Sequence, residues 1–390
     1  MLTRTAPRLL LVGLLACTLA ALPVAAGPQA AARADEPVTL LDLGTLGGGA
    51  SEAQDINERG QVVGSSTLAD NSWHAFLWDR GVMRDLGTLG GGWSVAVAVN
   101  ERGQVVGTSE DANGTQRAFI WERGVMRDLG TPAGAQSSAQ HVNARGQVTL
   151  WAFVDDGTRA YVWDRGVLTE VDAGVPGGFT AAEDVNDDGW VLAGHRPADE
   201  IESHDFLWRD GVVVDLEESA PAGSRAQAWT LNQAGQVAGW LTGPDGRSVA
   251  ALWEDGTWTT LGDLGGSSYV YDINERGTVS GRAEVAWDDH AVLFRDGEVV
   301  DLHELAPDWE ESVAFRLNDR DQVIGSVDRY AGGGGAVLWQ DGEMHLLPPL
   351  LPGGGTRATD INERGQIAGT ATTGTADDTH AVLWTAGRGS

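Results

Sequence analysis

The chain of 390 residues holds a single cysteine, Cys17, and no lysine, so all 26 of its basic residues are arginine. One cysteine excludes a disulfide framework and any zinc or iron–sulfur site built on several thiolates. The 56 acidic residues outnumber the basic ones and leave a net charge of −30. Such a surface repels phosphate backbones, so nucleic acid and anionic membranes are not expected partners. Beyond residue 34 no apolar run is long enough to span a bilayer. No H-E-x-x-H motif, nucleophile elbow or phosphate loop is present. Two residue types are abundant instead, with 54 glycines and 16 tryptophans. They point to many tight turns and a repeated aromatic packing position. Apolar residues make up 42%, enough to bury a sizeable core.

The first residues read as a secretion signal. Arg4 and Arg8 precede an apolar run from Leu9 to Leu22, and the small-x-small sites Val24-Ala25-Ala26 and Ala32-Arg33-Ala34 follow. The expected organisation is a signal over residues 1–34 and one extracellular domain over 35–390. Leu14-Leu15-Ala16-Cys17 resembles a lipoprotein box, which makes anchoring through Cys17 a minority alternative. The apolar run continues past Cys17, and this argues against lipidation.

A fixed-period repeat organises the rest of the chain. The Asn of Asp55-Ile56-Asn57-Glu58-Arg59-Gly60 recurs at Asn100, Asn143, Asn186, Asn232, Asn274, Asn318 and Asn362, at intervals of 42 to 46 residues. A strand-ending aromatic recurs as Trp78, Trp121, Trp163, Trp208, Trp253, Phe294, Trp339 and Trp384. A third marker is the pair Asp42-Leu43, Asp85-Leu86, Asp128-Leu129, Asp215-Leu216 and Asp301-Leu302, with degenerate copies in the other units. Each unit reads as four short strands, a to d. In the first, these are Ser51–Asn57, Gln61–Ser65, His74–Trp78 and Val82–Leu86. Asn-x-x-Gly joins a to b in seven units, and Asp321 replaces the Gly in the seventh repeat.

Four strands over about 43 residues, repeated eight times, are the signature of a β-propeller. The last unit lacks its strand d, and the mature chain begins with an orphan strand d, Val38–Leu43. Pairing the two closes a ring. The fold expected is all-β, a single propeller of eight four-stranded blades, monomeric; two four-bladed units are the alternative. A Trp on strand c wedged between blades contributes roughly 2–3 kcal/mol of apolar transfer free energy.

His74-Ala75-Phe76-Leu77-Trp78, with Asp-Leu-Gly-Thr-Leu-Gly-Gly at Asp42–Gly48 and Asp85–Gly91, resembles the bacterial extracellular HAF-repeat family. The resemblance covers residues 38–384 and is most specific in the first repeat. It implies a secreted or surface-exposed repeat protein, with no agreed catalytic activity and no catalytic residue to carry over.

In an antiparallel meander the short a–b and c–d turns share one face, and the variable d–a and b–c loops share the other. The variable face is the expected site. Its acidic loops offer weak calcium candidates, Asp111, Asn113, Asp288 and Asp289. Trp93, Trp151, Trp240, Trp287 and Trp309 lie outside the repeated aromatic positions, in or next to these loops. Exposed Trp stacks on sugar rings or anchors a protein partner. His74, His204, His290 and His380 share one position at the start of strand c but fall on different units. The leading expectation is a secreted, non-catalytic scaffold that binds a protein or a cell-wall glycan through the variable face. The alternatives are a polysaccharide lyase or glycoside hydrolase acting through carboxylates in the central depression, and a calcium-stabilised adhesive module. Beyond possible calcium, no cofactor is expected.

Overall fold

The structure is a computed structural model that describes residues 38–155, 157–175, 177–198, 200, 202–374 and 378–387. The expected leader 1–34, Cys17 and both cleavage sites lie outside these residues. Among the described residues, no helix is long and apolar enough to cross a membrane.

The fold is all-β and propeller-like. The strands of the first unit are Ser51–Ile56, Val62–Thr67, Trp73–Asp79 and Val82–Asp85, within one or two residues of the expected bounds. They pair in that order as an antiparallel sheet. Five further sheets of four strands are present. The third and fourth units share one eight-stranded sheet, joined where Gly157–Thr158 pairs in parallel with Gly178–Phe179. The sheet of the last repeat is completed from the other end of the chain, because Thr39–Gly44 pairs with Thr379–Thr385, Leu40 opposite Trp384.

The turns follow from their residues. Asn57 Oδ1 accepts the backbone N–H groups of Arg59 and Gln61, both at 3.0 Å, and fixes the a–b turn. Gly60 closes this turn at φ 75° and Asp321 closes its counterpart at φ 57°, the left-handed region that Asp tolerates better than most residues. In the c–d turn Arg80 (φ 48°) and Gly81 (φ 87°) form the two-residue primed hairpin that suits strand twist.

The core lies between units, not in one centre. Eight apolar clusters each draw on two successive units. Trp121, for example, packs with Val63, Leu77 and Leu86 of the preceding unit, and Trp78 packs with Ala368 and Leu383 of the last. The strand-c aromatics therefore wedge between sheets as expected. Strand d is the outermost, and in the first unit three of its four residues are exposed.

The repeated Asn does more than turn the chain. Its side-chain amide donates across to the next unit: Asn57 Nδ2 to the Asn100 carbonyl at 3.0 Å, Asn100 to Asn143 at 2.9 Å, and so on round. The series ends with Asn362 Nδ2 donating to the carbonyl of Asn57 at 3.0 Å. A second series uses the acidic residue after the Asn. Glu58 N–H donates to Glu101 Oε1, Glu275 N–H to Asp319, Asp319 N–H to Glu363 and Glu363 N–H to Glu58. Glu58, Glu101, Asp319 and Glu363 thus serve as structural hydrogen-bond acceptors between units. Buried Asn donors left unmatched would each cost about 1–3 kcal/mol, which accounts for the strictness of the repeat.

Candidate functional site on the inner strands

Each strand a packs against the strands a on either side, so side chains three and two residues before the repeated Asn gather along one inner face. A mid-strand register shift, between Ala53 and Asp55 in the first unit and its counterpart in most others, lets consecutive residues share that face. Gly64 on strand b makes room for the bulge, since a Cβ there would overlap the Glu52 carbonyl oxygen.

On units five to seven this face is aromatic. The Trp229 and Tyr271 rings meet edge-on at 6.4 Å, and Tyr271 meets Phe315 edge-on at 5.7 Å. Trp240 lies 6.0 Å from Trp229 and 5.5 Å from Tyr269, and its Nε1 donates to Gln227 Oε1 at 2.8 Å. Trp229 keeps 46% of its surface exposed, a large apolar area for a side chain on an inner strand. The Arg282 guanidinium lies 4.8 Å from the Tyr269 ring centre and is paired with Asp289. Arg316 Nη1 donates to the carbonyl of Tyr271, at 3.3 Å, and to that of Phe315, at 3.4 Å.

On the same face the carboxylates of Asp55, Asp184, Asp272 and Asp360 act as staples between units. Asp55 Oδ2 accepts Val99 N–H at 2.6 Å, and Asp272 Oδ2 accepts Leu317 N–H at 3.0 Å. Asp55 and Asp360 both accept from Ile56 N–H, at 2.8 and 3.2 Å. Two carboxylates thus converge on one N–H: burial raises both, Asp360 well above the usual range, and the neighbouring Asp55 adds to its rise. Burial also pushes Asp272 up to about 6, against the opposing charge of Arg316. Asp205, half-buried on the fourth unit's strand c where its Oδ2 accepts Ala228 N–H of the fifth, is likewise pushed up to about 6 by desolvation.

These shifts set a pH dependence. A carboxylate raised in the folded state binds more protons folded than unfolded between its ordinary pKa and its folded one, so stability falls as pH rises through that window. For Asp205 and Asp272 the window runs from 3.8 to about 6. The melting temperature is expected to be higher at pH 5 than at pH 8, with Asp272→Asn flattening the profile. Below about pH 4 carboxylates held low, such as Asp79 beside Arg80, reverse the trend. A melting temperature that climbs steadily from pH 5 to 8 would refute the burial of these groups.

The residues singled out in the sequence do not gather on one loop face. Trp151 and Trp240 stand within strands Val148–Val154 and Val237–Thr242, not in loops, because each pairs across to strand a (Ser138 and Gln227). Trp93 is half-buried within Gly90–Val99. Trp309 is half-buried with the Arg329 guanidinium 4.4 Å from its ring. Trp287 alone is fully open, at 95%. Only Trp240 and Asp289 join the inner array, through Tyr269 and Arg282. The calcium candidates are engaged by protein donors: Asp111 accepts the N–H groups of Asn113 and Thr115 and pairs with Arg117 at 3.1 Å, and Asp288 accepts the Tyr330 hydroxyl. Among the described residues no group of three or more His, Cys, Asp or Glu is placed to hold a metal. Three of the four aligned histidines bind an acid of their own unit's strand d, His74 to Asp85, His290 to Asp301 and His380 to Asp42, all at 2.9 Å, and His204 binds Glu217, two residues beyond its strand d, at 2.8 Å.

No family model and no curated protein matches the chain. Among solved structures it resembles dipeptidyl peptidase 4 of Porphyromonas gingivalis, with 8% identity over 88% of this chain and 58% of that one, TM-score 0.57. It also resembles puromycin hydrolase, with 13% identity over 86% and 60%, TM-score 0.51. The β-propeller domain of the trilobed protease of Pyrococcus furiosus matches at 11% identity over 76% and 98%, TM-score 0.49. The chain spans only 58% and 60% of the length of the first two. The first two likenesses establish the fold and transfer no catalytic residue. They do correct the functional expectation. The two are named as a dipeptidyl peptidase and a puromycin hydrolase, and neither a free-standing non-catalytic scaffold working through its variable loops, nor a carbohydrate-active enzyme, nor a calcium-stabilised adhesive module is what they indicate.

Proposed function

We propose that the chain is a closed propeller of eight four-stranded blades whose inner face admits peptide. The observation that carries the peptide reading is the Trp229–Tyr271–Phe315 ladder, three aromatics in edge contact on consecutive inner strands with Trp229 left open. Aromatic faces take up apolar side chains at low entropic cost. Arg282 and Arg316 beside them supply donors for backbone carbonyls or a terminal carboxylate. Peptide is the first ligand class because a protein sharing the fold is named as a dipeptidyl peptidase. Ring closure is supported by the cyclic run of Asn hydrogen bonds and by the pairing of Thr39–Gly44 with Thr379–Thr385.

Titrating short apolar and aromatic peptides while following Trp fluorescence tests the site. Saturable quenching is expected for the intact chain, with affinity at least about ten-fold weaker in Trp229→Ala, a loss of roughly 1.4 kcal/mol. Equal affinity in Trp229→Ala and Phe315→Ala would rule out the inner face, and no binding across the panel would rule out peptide.

A further inference from the structure

The a–b and c–d turns form the face opposite the variable loops, and one cleft there differs from its counterpart elsewhere in the molecule. Arg59, Gln61, Asp79 and Arg80 of the first unit and Arg364 of the last line a cleft of about 250 Å³. Three guanidiniums face one carboxylate, and that carboxylate is taken by Arg80, at 3.1 Å, and by Gln61. Among the described residues neither Arg59 nor Arg364 has an ion-pair partner. In the counterpart on units six and seven, a cleft of about 360 Å³, Asp321 bridges Arg276 at 2.6 Å and Arg295 at 3.0 Å, with Asp296 and Glu298 alongside. The same turns therefore build one self-neutralised cleft and one left cationic, in a chain whose net charge is −30.

The third arginine of the cleft comes from the c–d turn. The first residue of the c–d turn is left-handed in every unit from the first to the seventh. Four of those units place Asp there, Asp210, Asp255, Asp296 and Asp341, which suits the conformation. Arg80 takes φ 48° at the same place, a conformation Arg adopts at a cost. Arg123 and Arg165 take the same conformation in the second and third units, so this turn places the third arginine at the cleft without by itself setting the cleft apart.

We propose that the Arg59–Arg80–Arg364 cleft binds a tetrahedral oxyanion, phosphate or sulfate. Guanidinium forks pair bidentately with such groups. Arg59 and Arg364 come from turns of two different units with no ion-pair partner among the described residues, and Arg80, its fork on Asp79, adds positive charge beside them; a tetrahedral anion offers each free fork its own pair of oxygens, which a single planar carboxylate does not. The site lies at the junction of the first and last units, so its occupancy also ties the two ends of the chain together. It is independent of the peptide reading, which concerns the inner face.

Thermal melts of residues 35–390 at fixed ionic strength, with phosphate, sulfate, tripolyphosphate, acetate or chloride, test the proposal. Phosphate or sulfate is expected to raise the melting temperature by roughly 3 °C at saturation, with acetate and chloride inert. Tripolyphosphate acting where inorganic phosphate does not would assign the oxyanion to a larger phosphate-bearing ligand. The double variant Arg59→Gln/Arg364→Gln should keep its fold, since both side chains are exposed, and lose the shift. Arg276→Gln in the other cleft should retain it. No anion-specific shift, or one that survives the double variant, overturns the assignment.

Discussion

A chain that begins at residue 45 is expected to aggregate or to melt far below one that begins at residue 35. Removing Thr39–Gly44 strips Thr379–Thr385 of its outer partner, leaving the backbone groups of a long apolar strand unpaired. It also removes Leu43, which is 7% exposed and packs with Ala53, Phe76 and Trp78, and it uncovers Trp384, against which Leu40 packs. The His380–Asp42 pair at 2.9 Å goes as well. One buried leucine is worth about 2 kcal/mol, and the lost ladder bonds about 1 kcal/mol each. Together the loss is on the order of 5 kcal/mol or more, comparable with the stability of many domains. The effect should be specific to the edge. A synthetic peptide of residues 38–46 added during refolding should restore monomeric, cooperatively melting protein in size-exclusion and calorimetry. A truncated chain that stays monomeric and melts with the intact one would show that the terminal strand closes nothing.

The pairing of Thr39–Gly44 with Thr379–Thr385 was legible in the sequence because a strand-d motif, Asp42-Leu43, stands ahead of the first unit and the last repeat lacks one after its strand c. Strand bounds were legible because turn residues bracket them, as Arg80-Gly81 does between Asp79 and Val82. The contacts between units were not. The Asn57 amide reaches the carbonyl of Asn100, 43 residues on, and nothing local to either residue announces it. A turn role alone explains the Oδ1 acceptor, and only the assembled structure gives the Nδ2 donor its partner. The acidity misled for the same reason. Glu101 and Glu363 read as solvated charge, yet each accepts a neighbouring unit's backbone N–H. The inner aromatics carried a signal that could have been used: Trp229, Tyr271 and Phe315 each stand three residues before a repeated Asn. Attention to loops passed over them, because strand a was treated as scaffold. The calcium candidates failed to assemble because an acidic hairpin satisfies its carboxylates locally, as Asp111 does with Asn113, Thr115 and Arg117.

Trp384→Ala is expected to cost about 3–5 kcal/mol, measured as a shift in the denaturation midpoint at unchanged slope. Its indole is 0% exposed and fills the space between the seventh and eighth units, against Ile324, Leu338, Leu347 and Ile367. Nε1 donates to the Pro348 carbonyl at 2.9 Å, so truncation also leaves that acceptor unpaired. A Cβ on Gly369 would meet the indole, so backbone and ring are fitted tightly and the surroundings have little room to collapse into the cavity. The chain supplies its own control. Phe294 occupies the matching place in the sixth unit and is 1% exposed among Val270, Ile273 and Val279. A phenyl ring therefore satisfies the wedge geometry, and Trp384→Phe should cost about 1–2 kcal/mol, the remaining ring atoms and the lost N–H bond. Equal losses for Ala and Phe would mean that the Pro348 hydrogen bond, not the volume of the wedge, holds the two units together. A negligible loss for both would mean that the aromatic positions are not what joins one sheet to the next.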